Sequence, residues 1–239
     1  MRVLHVLPPA AGGMLRHVRQ VMGGLTDVES ACAAVPGAGF ETLDAAFPGR
    51  CAPLPFPETA GIAALLRAAI LVRHASRRLR PDLLHGHGYR GMVVAGTASR
   101  FSGIPFAFTA HTLPEELGAS FWRRVRPLAR RARGAVCVSR AIATGLTDRL
   151  GLPGIGNSPL RVIYNGVDPG PPPGPRSPLP SDLRSLSPRG VVVTAARLAP
   201  QKGIGILLEA WALLPPGNVL LVAGDGPLQI GRASCRERV

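Results

Sequence analysis

Short apolar runs alternate along the chain with longer segments whose apolar residues recur at helical spacing. Residues 3–7 predict a buried strand, followed by Gly12-Gly13 and a helix over 16–25. Weaker strand patterns cover 30–35 and 51–56. Over 60–80, Ile62, Leu65, Leu66, Ala69 and Ile70 keep helical spacing. Arg77, Arg78 and Arg80 suit the C-terminus of that helix, and Pro81 ends it. Further strands are predicted over 82–85, 105–109, 134–138 and 161–164. Helices are predicted over 91–100 and 140–150, the second with Ser139 as N-cap. A basic helical stretch runs up to Arg133, with Pro127 placed to break a long amphipathic helix.

Repeated strand–helix–strand units predict an α/β fold: a parallel sheet wrapped by helices, doubly wound. Residues 169–189 are too rich in Pro and Ser for either element and predict a stiff linker. The pattern then restarts with a strand over 191–196, a helix over 203–214 and a strand over 219–223. One such unit is too small to be stable alone. The expected organisation is an N-terminal domain over 1–168, the linker, the start of a second domain over 190–229, and a tail over 230–239. The tail, Ile230-Gly231-Arg232-Ala233-Ser234-Cys235-Arg236-Glu237-Arg238-Val239, resembles the translation of a short-read sequencing adapter. It is expected to be foreign to the protein, which would continue beyond Gln229.

Composition narrows the classes. A chain of 239 residues, 46% hydrophobic and 18% charged, can bury a core without disulfide or metal staples. The net charge of +14 raises nucleic acid as a partner. Only Lys202 is lysine, so 28 − 1 = 27 basic residues are arginine, spread along the chain. That spread points to coding bias, and no nucleic-acid partner is expected. The four cysteines, Cys32, Cys51, Cys137 and Cys235, form no C-x-x-C pair. No apolar run spans a bilayer, and residues 3–7 are too short for a signal peptide, so a cytoplasmic location is expected.

The chemistry concentrates at strand ends. Arg197 follows a strand and Lys202 precedes a helix, at the edge where open α/β sheets bind ligands. A guanidinium and an ammonium there fit a diphosphate; two solvated surface charges fit equally well. His85 and His87 have metal-like spacing without a third ligand in the sequence, which favours structural hydrogen bonding. Asp225 lies at a strand end but could belong to the turn Gly224–Pro227, and His17 reads either way.

In order, Gly12-Gly13 with His17, Asp82-Leu83-Leu84-His85-Gly86-His87, Ala110-His111-Thr112, Val138-Ser139 and Val162-Ile163-Tyr164-Asn165-Gly166-Val167-Asp168 lead to Ala196-Arg197-Leu198, Lys202-Gly203 and Gly224-Asp225-Gly226-Pro227-Leu228. This ordered set resembles a family 4 glycosyltransferase of GT-B architecture, which is two Rossmann-like domains, the second incomplete here. The resemblance implies transfer of a sugar, with retention, from a nucleotide-sugar to a sugar, lipid or small-molecule acceptor. It places Arg197 and Lys202 on the donor diphosphate, His111 by the reacting carbon, and Gly12, Gly13, His17, Asp225 and Gly226 around donor or substrate. No metal or other cofactor is implied. The family's acidic pair, two Glu separated by seven residues, would lie beyond Gly226, so the chain as it stands is expected to be inactive. A non-catalytic Rossmann-like binding or regulatory protein is the alternative; an NAD enzyme lacks its G-x-G-x-x-G. Phe121 and Trp122 with Arg123, Arg124, Arg126, Arg130 and Arg131 raise peripheral contact with the inner membrane surface.

Overall fold

Seven strands, most of them buried on both faces, pair in parallel as one sheet in the order β3-β2-β1-β4-β5-β6-β7 in a computed structural model of the chain. The structure describes residues 1–9, 12–55, 61–151, 160–167, 170 and 190–229. The expected linker, apart from Gly170, and the C-terminal decapeptide lie outside the described residues. The strands are β1 (Arg2–Leu7), β2 (Glu29–Ala34), β3 (Cys51–Pro53), β4 (Leu83–His87), β5 (Phe106–Ala110), β6 (Gly134–Cys137) and β7 (Leu160–Val162). Helices α1 (Gly13–Gly24), α2 (Ala38–Ala46), α3 (Ile62–Leu79), α4 (Gly88–Ser102), α5 (Ala119–Ala129) and α6 (Arg140–Leu150) connect them.

The two-residue period of each strand sorts its side chains between two cores. Leu4, Val6, Leu84, Phe106, Phe108 and Cys137 face the larger core with α3, α4, α5 and α6. Leu7, Cys32 and Ala34 pack with Val18 and Met22 of α1 and Leu43 of α2. Full burial of each such aliphatic or aromatic side chain contributes roughly 1.5–3 kcal/mol before entropy is charged against it. Odd positions of β1, with His5, and of β4, with His85 and His87, share the face that carries α1. The strand order reverses between β1 and β4. Their carboxyl ends therefore form the switch-point crevice in which doubly wound sheets bind ligands.

Three elements depart from expectation. Helix α2 was not anticipated: it carries two residues of weak propensity, Gly39 and Thr42, and buries only Leu43. Helix α4 begins at Gly88, straight from the end of β4, because Gly88 at φ 66° turns the chain there. Pro127 does not break α5; it falls in the last turn of a helix whose Trp122, Val125 and Ala129 are buried. Two of the arginines there are also committed. Arg126 Nε donates to the Leu150 carbonyl at 2.9 Å and Arg130 Nη2 to the Gly151 carbonyl at 2.8 Å, capping α6. Ser139 caps the other end of α6, its Oγ accepting from the Ile142 N–H at 3.3 Å.

The chain divides into two compact units, Met1–Asp168 and Pro169–Val239. In the second, β8 (Gly190–Ala195) and β9 (Asn218–Ala223) pair in parallel, connected by a 3-10 turn over Pro200–Lys202 and a helix, α7 (Ile204–Ala212). Its buried apolar residues are Leu198, Ala199 and Ile204, while Val193, Ile206 and Leu213 are 61%, 72% and 86% exposed. No helix among the described residues is long and apolar enough to cross a membrane.

Candidate functional site

In the first unit the site begins where β1 gives way to α1. Gly12 has φ 61° and ψ −126°, a conformation that strains any L side chain. Its carbonyl accepts the first helical bond, from the Arg16 N–H at 3.1 Å. No side chain caps α1, so its first-turn N–H groups are left without a side-chain acceptor. Gly13 opens that helix with open space where a Cβ would sit. One turn on, α1 presents His17.

Strand register assembles the rest. His5 of β1 lies opposite His85 of β4, and His87 of β4 opposite Thr109 of β5. His111 follows two residues later on the same side. Five of the chain's six histidines therefore meet on one face. His5 Nδ1 and His87 Nε2 are 3.0 Å apart, and His87 Nδ1 and His111 Nε2 are 3.4 Å apart. A neutral imidazole has one donor and one acceptor, so these contacts form a directed chain. When His5 Nδ1–H donates to His87 Nε2, His87 Nδ1–H donates to His111 Nε2; the opposite tautomers reverse it. His85 Nε2 pairs with the Thr109 hydroxyl at 2.9 Å.

Among the described residues no carboxylate enters the cluster, and burial controls its charge. Desolvation first, then repulsion from neighbouring histidines, pulls His5 down to about 3 and His85 and His111 to about 4. His87 is held well below the ordinary imidazole range for the same reasons. Burial also lowers His17, against a hydrogen bond to Asn165 that raises it. At neutral pH the rings are therefore uncharged acceptors and donors rather than cations.

The loop that carries His111 is fixed from two sides. Tyr89 Oη donates to the Thr112 carbonyl and Trp122 Nε1 to the Pro114 carbonyl, both at 2.9 Å. The two rings pack edge to face with centroids 4.9 Å apart. Beside the histidines opens a cleft of about 630 Å³. His17, His85 and Thr109 supply its polar lining; Val136, Ile163 and Tyr164 are among its apolar walls. The volume suits a small organic ligand.

The second unit brings two distant motifs together. The Leu198 N–H donates to the Asp225 carbonyl at 2.8 Å, and the Leu228 N–H to the Leu198 carbonyl at 3.0 Å. A Cβ on Gly224 would strike the Ala196 carbonyl, and one on Gly226 the Leu198 carbonyl. Only glycines allow these two loops to run backbone against backbone at the carboxyl ends of β8 and β9. Arg197, Lys202 and Asp225 are exposed there. Lys202 ends the 3-10 turn, just before Gly203 caps α7.

The predicted residues thus fall into two groups. Gly12, Gly13, His17 and His111 gather at the first unit's switch point; Arg197, Lys202, Asp225 and Gly226 gather at the strand ends of the second. The sequence reading of His85 and His87 was incomplete: both hydrogen-bond as expected, but further imidazoles join them. His5 was missed altogether. Its signal was a histidine inside an apolar strand, at the register position facing His85.

The sequence matches the family model described as Glycosyltransferase Family 4 over residues 11–170. No curated protein sequence matches significantly. Among solved structures, Anabaena Alr3699/HepE in complex with UDP and glucose is 21% identical, with a TM-score of 0.75 over 99% of this chain and 64% of that one. A glycosyltransferase from Rickettsia africae ESF-5 is 18% identical, with a TM-score of 0.66 over 98% of this chain and 63% of that one. The lipopolysaccharide outer core galactosyltransferase WaaB is 16% identical, with a TM-score of 0.64 over 99% and 65%. The chain thus spans just under two thirds of the length of these neighbours. At such identities they share its fold, the GT-B arrangement expected from the sequence.

Proposed function

The chain belongs to glycosyltransferase family 4, and on that premise we propose that the protein moves a sugar from a nucleotide-sugar to an acceptor, with retention. The observation that carries this reading is the glycine-dependent abutment of Ala196–Leu198 with Gly224–Gly226, which leaves Arg197 and Lys202 exposed at the carboxyl edge of parallel strands. Cleaving a glycosyl–phosphate bond builds positive charge on the sugar and negative charge on the departing diphosphate. Arg197 offers a forked pair of donors and Lys202 a mobile point charge to that diphosphate. Positive charge brought to the departing diphosphate stabilises the transition state as the bond breaks. Transfer then needs no metal at the leaving group.

His111, on its pinned loop, is assigned to the sugar near the reacting carbon, with Gly12, Gly13 and His17 lining the substrate side and Asp225 and Gly226 the donor side. HepE, whose structure holds UDP and glucose, supports a uridine donor. The acceptor belongs to the first unit, whose cleft beside His85 and Thr109 has the volume for a sugar or small molecule.

The test is turnover by the gene product completed with its native downstream coding sequence. UDP-, GDP- and ADP-sugars are supplied and nucleotide release is followed, with Arg197→Ala and Lys202→Ala beside the parent. Each substitution should lower kcat/KM by about 10²–10³. Unchanged turnover in both variants would remove the diphosphate assignment. Binding of nucleotide without release by the completed protein would identify a non-catalytic binding protein instead.

A further inference from the structure

Two thiols face each other at the edge of the sheet. Strand register sets Cys32 of β2 directly opposite Cys51 of β3. Register partners in parallel strands point to the same face, and neighbouring strands run about 4.8 Å apart. That spacing falls inside the roughly 4.4–6.8 Å that separates the Cα atoms of a disulfide. Cys32 Sγ donates to Cys51 Sγ at 2.8 Å. We propose that this pair is a reversible dithiol–disulfide site that exchanges with low-molecular-weight disulfides and, once oxidised, fastens the edge strand to the sheet.

The two sulfurs are unequal, as exchange requires. Cys51 is partly exposed, whereas Cys32 is buried in the smaller core with Leu7, Val18 and Leu43. The hydrogen bond from Cys32 lowers the Cys51 pKa, against burial and the Asp44 carboxylate. The same bond, with burial and Asp44, pushes the Cys32 thiol up. Cys51 is therefore the thiolate that meets a disulfide from solution, and Cys32 the thiol that resolves the product. Cys51 Sγ attacks one sulfur of the incoming disulfide, whose S–S bond breaks, and the first thiolate leaves. Cys32 then gives up its proton and attacks Cys51 Sγ, expelling the second thiolate. Two protein thiols are oxidised to one disulfide; the small disulfide is reduced to two thiols, which take the two protons.

The fold gives this step room. Strand β3 is three residues long, stands at the end of the strand order and has β2 as its one strand neighbour, so a small shift brings the sulfurs together. The bond would join positions 19 residues apart around α2 and restrict the unfolded chain accordingly. Cys137 has no such geometry: it is buried in the larger core, on β6. The proposal is independent of the transferase reading, whose diphosphate contacts lie in the other unit.

The experiment uses the 239-residue chain carrying Cys235→Ser, which removes the tail thiol. The reduced protein is incubated with glutathione disulfide, its remaining thiols are alkylated, and it is digested with trypsin. Cleavage after Arg19, Arg50 and Arg67 places Cys32 and Cys51 on separate peptides, 20–50 and 51–67. Expected are these two peptides joined, their release by dithiothreitol, and Cys137 alkylated. The oxidised protein should melt at least about 5 °C above the reduced one. Cys51→Ala should abolish the link and slow modification of Cys32 at least about tenfold, because the buried thiol loses its point of entry. Circular dichroism checks the fold of that variant, and should it fail, the peptide map of the parent decides. Unlinked peptides, glutathione retained on Cys51 as the final product, equal modification of Cys137, undiminished reaction of Cys32 in the folded variant, or a Tm unchanged or lowered by oxidation each overturn the proposal.

Discussion

A buried imidazole without a carboxylate partner makes folding a function of pH. His5, His85 and His87 keep their neutral form in the folded protein, whereas in the unfolded chain they take up protons near 6.5. Between that value and about 4, the unfolded state binds more protons than the folded one. Stability contributed by these residues is thus complete above 6.5 and falls as pH drops, by up to about 1.4 kcal/mol per pH unit for each fully neutral ring. Thermal melts at pH 7.5, 6 and 5 should show a steep fall in Tm across the last two, and a flat profile would contradict it. None of this was legible in the sequence, where 82 residues separate His5 from His87. The H-x-H spacing put two imidazoles on one face; their partners His5 and His111 come from neighbouring strands, and strand order is not encoded in local pattern.

Elements were easier to read than their boundaries. Alternating apolar runs located the strands because a buried parallel sheet permits little else at those positions. Helix α2 escaped because its one buried side chain, Leu43, leaves almost no periodic signal. The junction of β4 with α4 escaped for a different reason: it depends on backbone contact. A Cβ on Gly86 would lie 2.5 Å from the Gly91 carbonyl oxygen and 2.7 Å from the Met92 nitrogen. Gly86→Ala must push α4 off the strand that carries His85 and His87. It should cost more than about 2 kcal/mol in urea unfolding. Helix α3 ends on the opposite kind of misfit, with Arg80 left-handed at φ 46°. Arg80→Gly relieves roughly 1–2 kcal/mol of that conformation and returns part of it as unfolded-chain entropy. A net gain of up to about 1 kcal/mol is expected, and a lower urea midpoint would refute the reading.

At the scale of the whole molecule, the two units are unequal. The first owns both hydrophobic clusters; the second buries Leu198, Ala199 and Ile204 among its described residues and leaves Val193, Ile206 and Leu213 in water. Limited proteolysis should therefore digest residues 190–229 first and leave a resistant product within 1–168 whose Tm matches that of the uncut chain. Survival of the second unit beyond the first would overturn this ranking. The fold class was legible because the strand–helix rhythm restarts after the proline-rich stretch, and the candidate donor cations because they sit at one strand end. The β8–β9 pair is a sheet of only two strands, and among the described residues its outer edges have no strand to pair with. An unpaired edge beside uncovered valine and leucine is a template for any passing extended chain. In a living cell, chaperones and proteases would compete for that edge whenever it lies uncovered, and the abundance of the protein would follow how fast they find it.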